Sequence, residues 1–288
     1  MRLNDFLFLI KTSEGISLKK QVELYQLVKQ FSKSELSALN GDSIAKLVGI
    51  TGKSKDKFID SFEIQKKNFS PELTENYWLA INDERYPEQL RESYLPPIGL
   101  FYQGNLQLLQ SRMLGVVGSR LPTNYSQVVL NQLVPELVLK DVTMVSGLAK
   151  GVDTVIHRLT IANGGKTIAV IGTGLAKFYP SENLPLQKYI GAHHLILSEY
   201  MSNVGPRKHH FPERNRIIAG LCQGVLVTEA KNHSGSLITA NLALQNNRDV
   251  FAVPGPITSP LSVGTNELIL AGAKPVLNAN HIIEELLY

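Results

Sequence analysis

The chain has 288 residues, 43% of them hydrophobic and 19% charged, with a formal net charge of +4 and one cysteine. That length suits one large domain with a smaller companion, the apolar fraction excludes a disordered chain, and a lone thiol excludes an intrachain disulfide framework. The mildly basic balance permits a polyanionic partner without requiring one. No apolar run reaches the roughly 18 residues of a membrane span and no signal peptide is seen, so a cytoplasmic protein is expected.

Residues 1–76 alternate polar, Lys-rich positions with apolar ones at helical spacing, as in Val22, Leu24, Leu27, Val28 and Phe31, with breaks at Asn40-Gly41, Gly49 and Gly52. The pattern predicts a small helical domain. Within it, Leu47-Val48-Gly49-Ile50-Thr51-Gly52-Lys53 has two readings: a helix-hairpin-helix turn whose amides approach a phosphate, or a glycine-closed connection between packed helices. The second is preferred. Residues 70–97 are richer in Pro and aromatics and end in Tyr94-Leu95-Pro96-Pro97, which cannot continue a helix. They read as the interdomain connection.

From Met113 onward, short apolar runs alternate with helix-like stretches, the mark of a parallel sheet with crossover helices. The runs are residues 113–117, 143–145, 167–171, 225–228 and 250–253, with 195–197 as a sixth candidate. Small and polar residues gather after them: Gly118-Ser119-Arg120, the 146–151 stretch SGLAKG, Gly172-Thr173-Gly174, Glu229-Ala230 and Pro254-Gly255. Ligands of open α/β sheets bind at that carboxyl edge, although any one of these glycines alone reads equally as a tight turn. Ser234, Gly235 and Ser236 precede an apolar helix, where the hydroxyls suit a cap and the helix start favours an anion. Residues 208–219, KHHFPERNRIIA, set cations around Phe211 in a predicted loop. Cations supply phosphate contacts and an aromatic face stacks on any base; salt bridges closing the loop onto a helix are the alternative.

Nucleotide motifs are mostly rejected. Gly164-Gly165-Lys166-Thr167 leads into a strand rather than a helix and has Thr160 where a P-loop needs its first glycine, and the 115–120 stretch GVVGSR spaces its glycines wrongly for a dinucleotide fingerprint. His157, one turn after Asp153, has no second histidine at ligand spacing, so a structural hydrogen bond is expected there. Asp153 reads as an orienter of the 146–151 loop, and Cys222 as a small packed hydrophobe.

The stretches Val116-Val117-Gly118-Ser119-Arg120, SGLAKGVD at 146–153, Ile171-Gly172-Thr173-Gly174, HFPERNRIIAGL at 210–221, and Thr228-Glu229-Ala230 with SGSLITA at 234–240 stand in this order. Together they resemble the DNA-processing protein A family, also called DprA or Smf, over residues 77–275. The resemblance implies an α/β fold: an extended Rossmann-like domain with a doubly wound, mostly parallel sheet over residues 77–288. A small helical domain over residues 1–76, similar to the sterile-alpha-motif-like domain of some members, precedes it. Many members end in a winged-helix domain, which this chain, stopping at Tyr288, is expected to lack. The implied function is to bind and protect incoming single-stranded DNA and load the RecA recombinase during natural transformation, in competence. A homodimer through the C-terminal part of the Rossmann-like domain is implied, and no catalysis, cofactor or metal. The apolar stripes of residues 266–270 and 282–287 suit that dimer or a recombinase surface, while each residue separately suits the core.

Carried over by position, Arg120 grips a phosphate, Lys208 binds the backbone and Phe211 stacks on a base. Gly118, Ser119, Gly147, Lys150, Gly174, Asn215, Ser234 and Ser236 join them along one groove. Arg214 and Arg216 divide between a phosphate ligand and a buried brace against Asp153 or Glu229, since guanidinium forks suit both tasks. The rival is a nucleotide phosphoribohydrolase with a P-G-G-x-G-T-x-x-E loop. Here Pro254-Gly255 is followed by Pro256, and Glu267 falls one position early after Gly264-Thr265.

Overall fold

The computed structural model describes residues 1–287. Nine strands share one sheet: β1 (Trp78–Ala80), β2 (Gly99–Gly104), β3 (Met113–Val117), β4 (Thr143–Ser146), β5 (Thr167–Ile171), β6 (Leu195–Ser198), β7 (Gly224–Val227), β8 (Asp249–Ala252) and β9 (Lys274–Pro275). They lie in the order β1-β2-β6-β5-β4-β3-β7-β8-β9. From β6 to β9 every pairing is parallel, whereas β2 runs antiparallel to both β1 and β6. The six apolar runs picked out in the sequence form six consecutive strands of this order. All five residues of β3 are buried, because a central parallel strand is covered on both faces and has no polar side to show.

Successive strand residues supply the two faces. The chain's helices are α1 (Leu3–Thr12), α2 (Leu18–Val28), α3 (Lys33–Ala38), α4 (Gly41–Leu47), α5 (Gly52–Lys67), α6 (Glu72–Glu75), α7 (Glu88–Arg91), α8 (Asn124–Leu139), α9 (Val152–Ala162), α10 (Leu184–His193), α11 (His210–Leu221), α12 (Gly235–Gln245), α13 (Val263–Leu270) and α14 (Asn280–Leu287). Leu114 and Val116 of β3 pack with α8, α9 and α14, while Val117, Val225 and Val227 pack with α11 to α13. Sheet order grows from β3 through β4 and β5 to β6, then the chain returns through α11 to place β7 on the other side of β3. That reversal makes the β3/β7 boundary the switch point of a doubly wound fold, where the crevice opens at the strands' carboxyl ends.

Two sequence expectations give way. Residues 70–97 are more than a connection, because they contain α6, the edge strand β1 and α7; the three-residue β1 is too short to show alternation. The 210–216 segment is helix, not loop. Pro212 sits in the first turn of α11, where its missing N–H is no loss, and Ile217, Ile218 and Leu221 bury the rest of the helix. Gly115 lets α11 lie close on β3, since a Cβ there would stand 3.3 Å from both Ile218 and Cys222.

Among the N-terminal helices, α1 buries Phe6, Leu7, Phe8, Leu9 and Ile10 in succession, as a helix apolar all round must. Phe8 meets Trp78 edge-on at 5.5 Å and Phe101 at 6.1 Å, so α1 shares a core with β1 and β2. The 48–51 turn closes α4 onto α5 with Gly49 at φ 65° and Ile50 N–H donating to Ala45 O at 2.8 Å, a glycine-terminated helix end.

Candidate nucleic-acid interface

A cleft of about 650 Å³ opens at the β3/β7 switch point. Its wall comes from the β3 end (Gly118, Ser119, Arg120), the α11 start (Lys208, Phe211, Pro212, Arg214, Asn215) and the turn into α12 (Lys231, Ser234, Gly235, Ser236). The loops are pinned to one another. Glu229, just past β7, accepts from Thr123 N–H at 2.9 Å, Thr123 Oγ1 at 2.6 Å and Ser126 Oγ at 2.7 Å, which ties the start of α8 to the β7 edge. Asp153 accepts from the N–H groups of Gly147 (3.1 Å) and Ala149 (3.2 Å), so it shapes the 146–151 loop. Gly151 has φ 77°, and a Cβ there would come within 2.3 Å of Ser119 O, so only glycine lets this loop lie against the β3 loop.

Arg120 is exposed, and its guanidinium carbon stands 5.4 Å above the Phe211 ring, within cation–π range. Phe211 is half-buried on Gly172, and its ring centre lies 5.4 Å from that of Tyr179. Tyr179, 46% exposed, lines both the cleft and a recess behind Phe211. The start of α11 is clamped: His210 Nδ1 is 3.1 Å from Gly172 O, its ring stacks on Tyr200 at 3.9 Å, and Tyr200 O–H donates to Glu213 at 2.7 Å. Lys208 and Lys231 are exposed at the rim. Of the cleft-lining charges, Arg120, Lys208, Arg214 and Lys231 are cationic, and the one carboxylate, Asp153, is already bonded internally. The cleft is therefore cationic with an aromatic floor.

The two arginines do not divide as the sequence suggested. Both are buried. Arg214 lies over Gly147, 3.6 Å from Asp153, and donates to Val170 O at 3.2 Å. Arg216 pairs with Glu199 rather than Glu229 and donates to Leu95 O at 2.6 Å. Both brace, from different sides of α11: Arg214 against β5 and the 146–151 loop, Arg216 against Glu199 and Leu95; Arg214 alone also floors the cleft. Asn215 points the other way and donates to Gly235 O at 3.3 Å, fixing α12 against α11. The Ser234 hydroxyl bonds Ser236 at 2.9 Å instead of capping α12.

Three candidates stand apart from the main cleft. Gly174 is buried beneath residues 201–204, donating to Val204 O at 2.8 Å, and a Cβ there would meet Met201 O. Lys150 and Gly147 line the side recess, where the exposed Lys150 pairs with Glu182. Tyr179 and Lys231 were missed as site residues. Tyr179 lies in the long loop after β5 with no motif of its own, and only its approach to Phe211 marks it; Lys231 follows the Thr228-Glu229-Ala230 motif and could have been included.

His157 has the expected structural role: its Nδ1 is 2.7 Å from Thr167 Oγ1. Complete burial, with Arg214 nearby, pulls its pKa down to about 3. Among the described residues no cluster of three or more His, Cys, Asp or Glu is placed to hold a metal ion, and no helix is long and apolar enough to cross a membrane.

Fold and cleft define a Rossmann-like α/β protein with a cationic, aromatic-floored cleft at its switch point. The chain belongs to the DNA recombination-mediator protein A family, whose profile matches residues 77–287. It is 49% identical over 224 residues to DNA processing protein DprA of Streptococcus pneumoniae, covering 78% of this chain and 79% of that one. It is 46% identical over 209 residues to its namesake in Bacillus subtilis, covering 72% and 70%. The crystal structure of the Streptococcus pneumoniae protein superimposes with a TM-score of 0.87 at 39% identity over 100% of both chains. DNA processing protein A of Helicobacter pylori, a structure described for its single-stranded DNA binding mode, matches with a TM-score of 0.65 at 31% identity, covering 73% of this chain and 95% of that one.

Proposed function

We propose that this chain is a single-stranded DNA-binding recombination mediator that protects incoming strands and loads the RecA recombinase onto them during natural transformation. The observation that carries the reading is the cleft itself. Arg120, Lys208 and Lys231 surround the Phe211 and Tyr179 rings, and the only lining carboxylate is neutralised from within. Cations take the phosphates and the rings take unstacked bases, a combination suited to single strands and indifferent to sequence. The relative from Helicobacter pylori supports the choice of strand. On this reading the chain binds rather than catalyses and works in the cytoplasm. Residues 1–76 form a helical domain and residues 77–288 the binding domain, a division supported by the family match beginning at residue 77. A homodimer forms through the C-terminal part, supported by the exposed apolar side chains of Ile257, Leu270 and Leu277.

The test is fluorescence anisotropy with labelled oligo(dT) and matched duplex across a salt series. Single strands are expected to bind better. Arg120→Ala and Lys208→Ala each lower the slope of log K against log salt by about 0.7, the loss of one phosphate contact on a single strand. A wild-type chain that ignores oligo(dT) at low salt refutes the reading.

A further inference from the structure

A buried ion triad joins the N-terminal helix to the helix that bears Phe211. Lys11 of α1 reaches Glu199, just past β6, with Nζ 2.7 Å from Oε1; both side chains are almost fully buried. The other oxygen of Glu199 takes the guanidinium of Arg216, which is equally buried and also donates to Leu95 O. Each carboxylate oxygen thus has its own cation, one from α1 and one from α11. Burial alone would push the Glu199 carboxyl up, but Arg216 and Lys11 together hold it below its ordinary value. Burial pulls the Lys11 ammonium down, and sharing one carboxylate with Arg216 does not restore it. The charged and titratable neighbours of the triad include Glu213 and the phenols of Tyr86 and Tyr200.

Resting on the reading of the cleft as a single-strand site, we propose that Lys11 is a positioning residue for that site, acting through Glu199 and Arg216 on α11. Without the Lys11 ammonium, one Glu199 oxygen is left buried and unpaired, which such a group does not tolerate in place. Glu199 then turns or hydrates and takes Arg216 with it. Arg216 is the next residue after Asn215, which holds the α12 turn, and one helical turn and a half from Phe211. The N-terminal layer is therefore part of the binding apparatus without touching the strand. Coupling of this kind is reciprocal, so a strand bound at α11 must steady α1.

The experiment uses the full chain. Lys11→Met is expected to weaken oligo(dT) binding by about 2- to 30-fold, the usual range for a residue that modulates a site through packed contacts. The salt slope stays unchanged, because Lys11 Nζ is buried and meets no phosphate. The loss is also less than additive with Phe211→Ala, since both act on the same platform. Hydrogen exchange of the wild type should show oligo(dT) protecting the amides of α1 as well as those of α11. A folded Lys11→Met chain with wild-type affinity overturns the proposal, as does a loss accompanied by a lower slope. If Lys11→Met does not fold, the wild-type exchange decides: protection confined to α11 overturns it. If the wild type ignores oligo(dT), the single-strand reading fails instead, and ligand-free exchange of α11 in Lys11→Met, expected to be faster than in wild type, tests the brace alone. Equal exchange there overturns it.

Discussion

Gly147→Ala isolates the role of Arg214. Gly147 lies outside the positive-φ positions, so its backbone accepts alanine without strain. Its space does not, because an added Cβ would stand 0.9 Å from Arg214 Nη1, 1.9 Å from Cζ and 2.3 Å from Nη2. The guanidinium must leave, giving up Val170 O and its ion pair with Asp153. Separating a buried pair typically costs 3–5 kcal/mol. Here Asp153 keeps two backbone donors and the long Arg214 side chain can swing into the cleft, so the lower end applies. The expected loss is about 3 kcal/mol, or a fall in Tm on the order of 10 °C for a chain of this size. Urea denaturation and calorimetry measure it. In an Arg214→Ala background the clashing group is gone, and the same substitution is expected to cost less than about 1 kcal/mol. An equal cost in both backgrounds, or none in the wild type, refutes the assignment of Arg214 as a buried brace.

Tyr179→Ala is expected to weaken oligo(dT) binding by about 1–3 kcal/mol, the worth of a stacked base, with Tyr179→Phe near wild type; equal losses on an abasic strand would show that stacking is not the cause. His157 ties stability to acid. Its folded pKa of about 3 lies below the ordinary 6.5, so below pH 6.5 the unfolded chain takes up a proton that the folded one refuses. Stability from this group is complete above pH 6.5 and falls by up to about 1.4 kcal/mol per pH unit toward pH 3. His157→Gln, which does not titrate, should lose that slope in urea titrations at successive pH values; an unaltered slope would assign it to other groups. Cys222 is fully buried and burial pushes its thiol up, so thiol reagents should label it only on unfolding; rapid labelling of the native chain would contradict its packing between α11 and β3.

The local pattern of the sequence carried the strands β3 to β8, the glycines at their carboxyl ends and the motifs of the family, because an apolar run closed by glycine encodes a buried parallel strand and its turn whatever lies beside it. It also marked Arg120, Lys208 and Phe211, whose residue types state their chemistry. It could not separate Arg214 and Arg216 from a phosphate ligand, since a guanidinium fork reads the same facing a cleft or a buried carboxylate. Only the packing of α11 on more than one side, with Arg214 turned to β5 and Arg216 to Glu199 and Leu95, decided that both are braces. The aromatic floor likewise needed the fold: Tyr179 and Phe211 are 32 positions apart in the chain and meet because β5 ends and α11 begins at the same edge. The strand order that creates the switch point, and the triad that joins Lys11 of α1 to Arg216 of α11 through Glu199, are long-range pairings. They depend on which surfaces remain to be covered once the local elements have formed, and no periodicity records that.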